Sequence, residues 1–227
     1  MELSITLIIV IATAVTSIAG FNNQKVINDL IFYPPAVTNR RQWYRFFSSG
    51  VIHADWLHLI FNMVALYSFG QLVENGYRYT DGIDYGFLQI FGVQRGKLFY
   101  LLMYVSALFV SLLPTYLKHR NDYHYRSLGA SGAVSAVVFA ALLLEPRSGV
   151  SMFFLPIAIP GYIFGPLYLI VSHMLARRAA DNINHSAHIW GALYGVVFVL
   201  SLSALYSDYD IPRSFVEKVQ MHLSKFF

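Results

Sequence analysis

The sequence predicts an all-α fold, a bundle of six membrane-crossing helices with an interfacial loop between the first two, and three observations lead there. Hydrophobic residues fill 56% of the 227 positions and charged residues only 12%, whereas about a quarter of an ordinary soluble domain is charged. A bilayer core of about 30 Å takes roughly 20 apolar residues per helix, and windows of that kind fall at 3–21, 56–74, 98–117, 129–145, 150–175 and 186–206. The net charge of +4 comes from the connections between windows, where it serves topology and contact with anionic lipid. The expected partner is therefore the lipid bilayer, with no nucleic-acid role, and the whole of 1–227 reads as one membrane domain.

The first window could be a signal peptide, but Glu2 stands where a basic flank belongs and the apolar run is longer than such a segment needs. It is read as a retained helix. The 34 residues from 22 to 55 are rich in aromatics and arginine, which suits a segment lying at the interface and packing on the bundle. In the second window, His58 and Asn62 are four residues apart and project from one helical face, so they can aim donors at one place. The third window is 98–117.

The fourth window opens on Gly129-Ala130-Ser131-Gly132. Ser131 falls in the first helical turn, where free backbone N–H groups and the positive end of the dipole favour an oxyanion. Gly132, Ala136 and Ala140 form a small-residue stripe suited to close helix contact. The fifth window contains Pro156, Pro160, Gly161, Gly165 and Pro166, each of which weakens the backbone ladder or permits a bend; it is either a kinked packing helix or a mobile gate. The sixth carries Gly191 and Gly195, with His188 three and seven residues before them and hence on the same face. If the two stripes meet, His188 reaches Ser131.

That pairing supplies a hydroxyl nucleophile, an imidazole base and donors for a tetrahedral oxyanion, the parts of acyl transfer. Ionisable and amide groups inside spans are functional candidates by default; His58, Asn62 and His188 qualify, with the Ser131 hydroxyl beside them. With no cysteine anywhere, thiolate nucleophiles, thiolate metal sites and disulfides are excluded.

In "HADWLHLIFNM" (53–63), "GASG" (129–132) and "AHIWGALYG" (187–195), the sequence resembles the rhomboid family of intramembrane serine proteases, over nearly its whole length and in the family's order and spacing. The resemblance implies a serine endopeptidase that cuts transmembrane protein substrates, needs no cofactor or metal, and works through a dyad. Ser131 is then the nucleophile, His188 the base, and His58 and Asn62 part of the oxyanion hole beside the Ser131 N–H. No aspartate partner is implied. His53, Glu74 and Arg45 also match family positions and are given structural roles. Two departures stand out: Tyr44 intervenes between Trp43 and Arg45, and Ser135 occupies the position from which several relatives stack an aromatic ring on the histidine. Trp190 and Tyr194 are candidates to replace that ring, although Trp190 lies about 200° around the helix from His188.

Rival chemistries find less in the sequence. There is no H-E-x-x-H motif for a metalloprotease, which leaves His185, His188 and His58 as the only metal grouping to consider. Asp55 and Glu145 stand at the ends of spans, where an aspartyl protease needs carboxylates within them. A catalytically inactive relative that binds transmembrane segments is the principal alternative, but it would usually lack the serine or the histidine. A channel would show more lining charge or paired broken helices.

Orientation is not set by charge. Counting alternate connections, seven Lys and Arg (78, 95, 97, 147, 213, 218, 225) face nine (25, 40, 41, 45, 118, 120, 126, 177, 178). The polar segments "KHRNDYHYRS" (118–127) and "ADNINHSAH" (180–188) open on the side of the two catalytic candidates, which the family resemblance makes extracytoplasmic. Compactness suggests a bacterial inner membrane.

Overall fold

A computed structural model describes residues 4–79, 82–151, 158–178 and 183–226. Four helices are long and apolar enough to cross a bilayer: α1 (Ile5–Asn22), α5 (Trp56–Asn75), α7 (Val93–His119) and α10 (His185–Tyr206). With α8 (Ser131–Leu144) and α9 (Gly161–Arg178) they make up the six-helix bundle. Glu2 lies outside the described residues, and α1 follows it as a full helix. Its first turn is held by α5: the fully buried Glu74 carboxylate accepts from the N–H groups of Ile5 (2.7 Å) and Thr6 (2.9 Å) and from the Thr6 hydroxyl (2.7 Å). These are helix-start donors that would otherwise be unpaired.

The interfacial loop folds into short pieces, α2 (Gln24–Leu30), α3 (Pro34–Arg40) and α4 (Arg45–Ser48), the last running into a 3-10 turn at Ser49–Val51. It packs on α7 as expected. Phe32, Val37 and Phe46 form a buried cluster against Phe109, Leu112 and Tyr116. The buried Arg45 guanidinium donates to Gln42 Oε1 (2.6 Å) and to the carbonyls of Ile31 (2.6 Å) and Asn28 (3.1 Å), so it ties α4 to the end of α2. The inserted Tyr44 is accommodated by pointing outward, its hydroxyl donating to Asp29 O.

Two windows differ from expectation. α8 has 14 residues, a rise of about 21 Å, short of the hydrocarbon thickness. It is the central helix, burying eleven of its fourteen residues against its neighbours, and the chain reaches its start by dipping inward. Irregular backbone at that depth is tolerated only where protein or a cavity covers it, and here it is pinned. Phe32 and Ser127 exchange backbone hydrogen bonds (3.0 and 3.1 Å), and Gly129 N–H donates to Ser49 O (2.9 Å). The fifth helix begins at Gly161, not at 150. Before it, strand β3 (Gly149–Ser151) pairs antiparallel with β4 (Ala158–Pro160). Pro160 biases Ile159 to the extended region; Pro156 lies outside the described residues.

A further strand pair, β1 (Tyr77–Tyr79) with β2 (Gly82–Asp84), and the short helix α6 (Phe87–Phe91) join α5 to α7. Beyond α10, the amphipathic α11 (Ile211–Leu223) folds back under α8. Its Lys218 Nζ donates to Leu144 O (2.6 Å) and sits 3.4 Å from Glu145, which Arg147 also clasps at 2.8 Å. A cation at the end of α8 satisfies a free carbonyl and complements the dipole.

Candidate active site

α8 and α10 meet along their small-residue stripes. A Cβ at Gly191 would overlap the carbonyl of Gly132, and one at Gly195 that of Ala136. This approach of two backbones brings His188 Nε2 to 2.8 Å from Ser131 Oγ. Ser131 is the first residue of α8, and the first intrahelical bond is Val134 N–H to Ala130 O. The N–H groups of Ser131, Gly132 and Ala133 therefore lie in the turn where a helix has donors to spare.

Gly129, two residues before the serine, has φ +115°, a region that L side chains rarely enter. A side chain there would also collide with the His58 imidazole. His58 thus lies directly against the turn that presents Ser131. Asn62, one helical turn further along α5, is buried; its Nδ2 donates to His58 O (2.9 Å), leaving the second amide hydrogen for another acceptor. Asn62 and Ser131 line the same cavity of about 520 Å3, bounded by α5, α8 and α9. All four sequence-predicted residues are gathered at this end of the bundle.

His53 plays a larger part than its sequence position announced. It is fully buried, its Nε2 faces the Ala130 N–H (3.4 Å) and its Nδ1 faces the Ser17 hydroxyl (3.0 Å). With Ser17 Oγ donating to Val51 O, the consistent tautomer carries the proton on Nδ1. A neutral ring is required, and burial, with the neighbouring His58 adding to it, pushes the His53 pKa down to about 3. The ring links α1 to the peptide just before the serine.

The support for His188 comes from an unexpected direction. Trp190 is exposed and Tyr194 donates to Ser106 (2.6 Å), so neither stands against the imidazole. The ring stacked on His188 is Tyr168 of α9, with centroids 6.4 Å apart and planes at 26°. Its hydroxyl lies 2.9 Å from Ser135 Oγ, at the position where the family's aromatic is missing. Nothing in linear spacing marks Tyr168, because its register against α8 is a tertiary fact.

His185 sits edge-on to His188, centroids 5.7 Å apart. Of the approach segment, 180–182 lies outside the described residues. In the connection before α8, His119 holds Asp122 at 3.0 Å and keeps its carboxyl below the usual range. Asp55 caps α5 by accepting from the His58 N–H, and Glu145 is engaged by Arg147 and Lys218 at the other end of α8.

Residues 40–205 match the family model of the Rhomboid domain. The chain belongs to the rhomboid family. It is 28% identical over 179 residues to RHOMBOID-like protein 12, mitochondrial, of Arabidopsis thaliana, covering 78% of this chain and 51% of that protein. It is 34% identical over 190 residues to Rhomboid-like protein 11, chloroplastic, of the same plant, covering 76% and 58%. This rhomboid chain spans about half the length of these curated relatives. Their names lend no support to the expected bacterial inner membrane, while membership and the helices together make the chain an integral, multi-pass membrane protein.

Proposed function

We propose that this rhomboid is an intramembrane serine endopeptidase that hydrolyses peptide bonds in or near the transmembrane segments of membrane proteins. The observation that carries the reading is the 2.8 Å hydrogen bond between half-buried Ser131 and His188 at a helix start. Nε2 takes the hydroxyl proton as Oγ bonds to the scissile carbonyl carbon. The carbonyl oxygen, now negative, is met by the Ser131 N–H, the second Nδ2 hydrogen of Asn62 and the His58 ring beside Gly129. The C–N bond then breaks as His188 returns the proton to the leaving amine. Water completes the cycle by attacking the acyl-serine. A cavity of about 20 Å3 behind Ser131, lined by Ser49, Ser111, Ser127 and Asn184, has the size and polarity to hold one water.

Access from the lipid is supported by the cavity between α5 and α9, whose walls include Phe61, Phe69 and Phe164. An apolar substrate segment can enter there while its scissile bond meets polar groups at Ser131.

The test is cleavage of a panel of single-span model substrates co-reconstituted with the purified protein in liposomes. Wild type is expected to yield two fragments and Ser131→Ala none, with both variants equally folded, since the substitution removes one oxygen among small neighbours. Equal cleavage by Ser131→Ala would sink the reading.

A further inference from the structure

We propose that Tyr168 is a positioning residue for His188, and that through it the seating of α9 controls how firmly the histidine is held. This rests on the protease reading above. The Tyr168 ring lies over His188 and is fixed there from three sides: the Ser135 hydroxyl at 2.9 Å, Phe139 at 5.6 Å and Phe164 at 5.8 Å between ring centroids. Ser135 follows the nucleophile by one helical turn on α8. Its small side chain leaves the space that a ring from α9 fills, and its hydroxyl supplies the hydrogen bond that holds the ring.

The helix that carries this ring is the one least embedded in the bundle. Among its residues only Gly161, Gly165 and Ser172 are buried, against eleven in α8. Gly165 and Pro166 stand just before Tyr168, and Pro166 contributes no N–H to the helical ladder. Phe164 and Tyr168 also line the cavity that reaches Ser131. Any displacement of α9 that widens this cavity draws the ring off the imidazole, and reseating α9 restores it. Ser131 and His188 themselves sit on α8 and α10, whose backbones touch and have no such freedom.

The experiment measures the rate at which a fluorophosphonate probe labels Ser131 in the whole protein in mild detergent, normalised to the folded fraction. Tyr168→Phe keeps the ring but loses its bond to Ser135, and is expected to label more slowly than wild type and faster than Tyr168→Ala. Tyr168→Ala is expected to be about tenfold slower, the scale of one aromatic contact. Adding Ser135→Tyr to Tyr168→Ala returns a ring from α8 and restores the rate. Gly161→Val tests the link to α9. A side chain there meets Leu142 at 2.6 Å and the Pro146 carbonyl at 3.2 Å, so it unseats the start of α9 at the far end from Ser131. It is expected to slow labelling in the wild-type background and to leave the Ser135→Tyr/Tyr168→Ala background unaffected.

Wild-type labelling by Tyr168→Ala, or no recovery in the double variant, overturns the positioning role. Equal slowing by Gly161→Val in both backgrounds overturns the coupling. A wild type that neither labels nor cleaves overturns the protease reading itself, and the proposal with it.

Discussion

Gly191→Ala is expected to cost this rhomboid most of its activity without touching either catalytic candidate. A Cβ at Gly191 would stand 2.8 Å from the carbonyl carbon of Gly132, where ordinary contact begins at 3.4 Å, and would overlap the carbonyl oxygen itself. Both obstacles are backbone of the central helix, and the oxygen is the nearer, so α10 must withdraw by about 1 Å or more. Gly191 follows His188 by three residues and Gly132 follows Ser131 by one, so the displacement passes directly into the 2.8 Å Ser131–His188 bond. Lengthened to about 3.8 Å or more, that bond leaves the range in which a base takes a proton efficiently. Loss of general-base assistance corresponds to a factor of about 100 or more. The assay is the fluorophosphonate labelling rate, with thermal denaturation to normalise for folding. Gly165→Ala is the control, because a Cβ there meets Phe139 at an ordinary 3.6 Å and should leave the rate unchanged. Labelling of Gly191→Ala at the wild-type rate, or an equal loss in Gly165→Ala, would show that the α8–α10 contact does not set the Ser131–His188 distance.

Other substitutions separate chemistry from architecture. Asn62→Ala should lower turnover about a hundredfold, as removal of one oxyanion donor does elsewhere; an unchanged rate takes Asn62 out of the active role. Glu74→Gln replaces a carboxylate oxygen facing the Ile5 and Thr6 N–H groups with a further donor, and should cost about 2–3 kcal/mol of stability, read as a lower melting temperature with the labelling rate of the folded fraction retained. His53 fixes a pH dependence. Its folded pKa near 3 lies below the ordinary 6.5, so below pH 6.5 the unfolded chain binds the proton and the folded one resists it. Stability from this site is whole above about 6.5 and is lost as pH falls toward 3, about 2 kcal/mol of it between pH 7 and 5. Melting curves across that interval should flatten in His53→Asn; parallel curves for the two proteins would contradict the assignment.

Much of the fold is legible in the sequence wherever a periodic signal faces one neighbour. The stripes of Gly132, Ala136 and Ala140 and of Gly191 and Gly195 encode the α8–α10 contact, and with it the meeting of Ser131 and His188, because small residues at four-residue spacing have no better use in a membrane. Composition can also be read for the interfacial loop, whose aromatics pack on the bundle while Arg45 ties the loop to itself. It does not show where helices start. The true length of α8 is set by loop bonds from Phe32, Ser49 and His53, all distant in sequence, and the start of α9 is set by a strand pairing that an apolar run conceals. His53 reads as a loop residue until Ala130 and Ser17 are brought to its two nitrogens. Tyr168 is one of 16 tyrosines, distinguished only by what α8 and α10 place beside it.

The proposed protease requires Ser131 to be an activated nucleophile dependent on His188. Covalent labelling of the purified protein by a fluorophosphonate, comparing wild type with Ser131→Ala and His188→Ala, tests it most directly and needs no known substrate. Strong labelling of wild type is expected, and none above background in either variant. Labelling that persists in Ser131→Ala, or a folded wild type that takes no label and cuts no transmembrane substrate, would contradict it and favour a rhomboid that binds membrane segments without cleaving them.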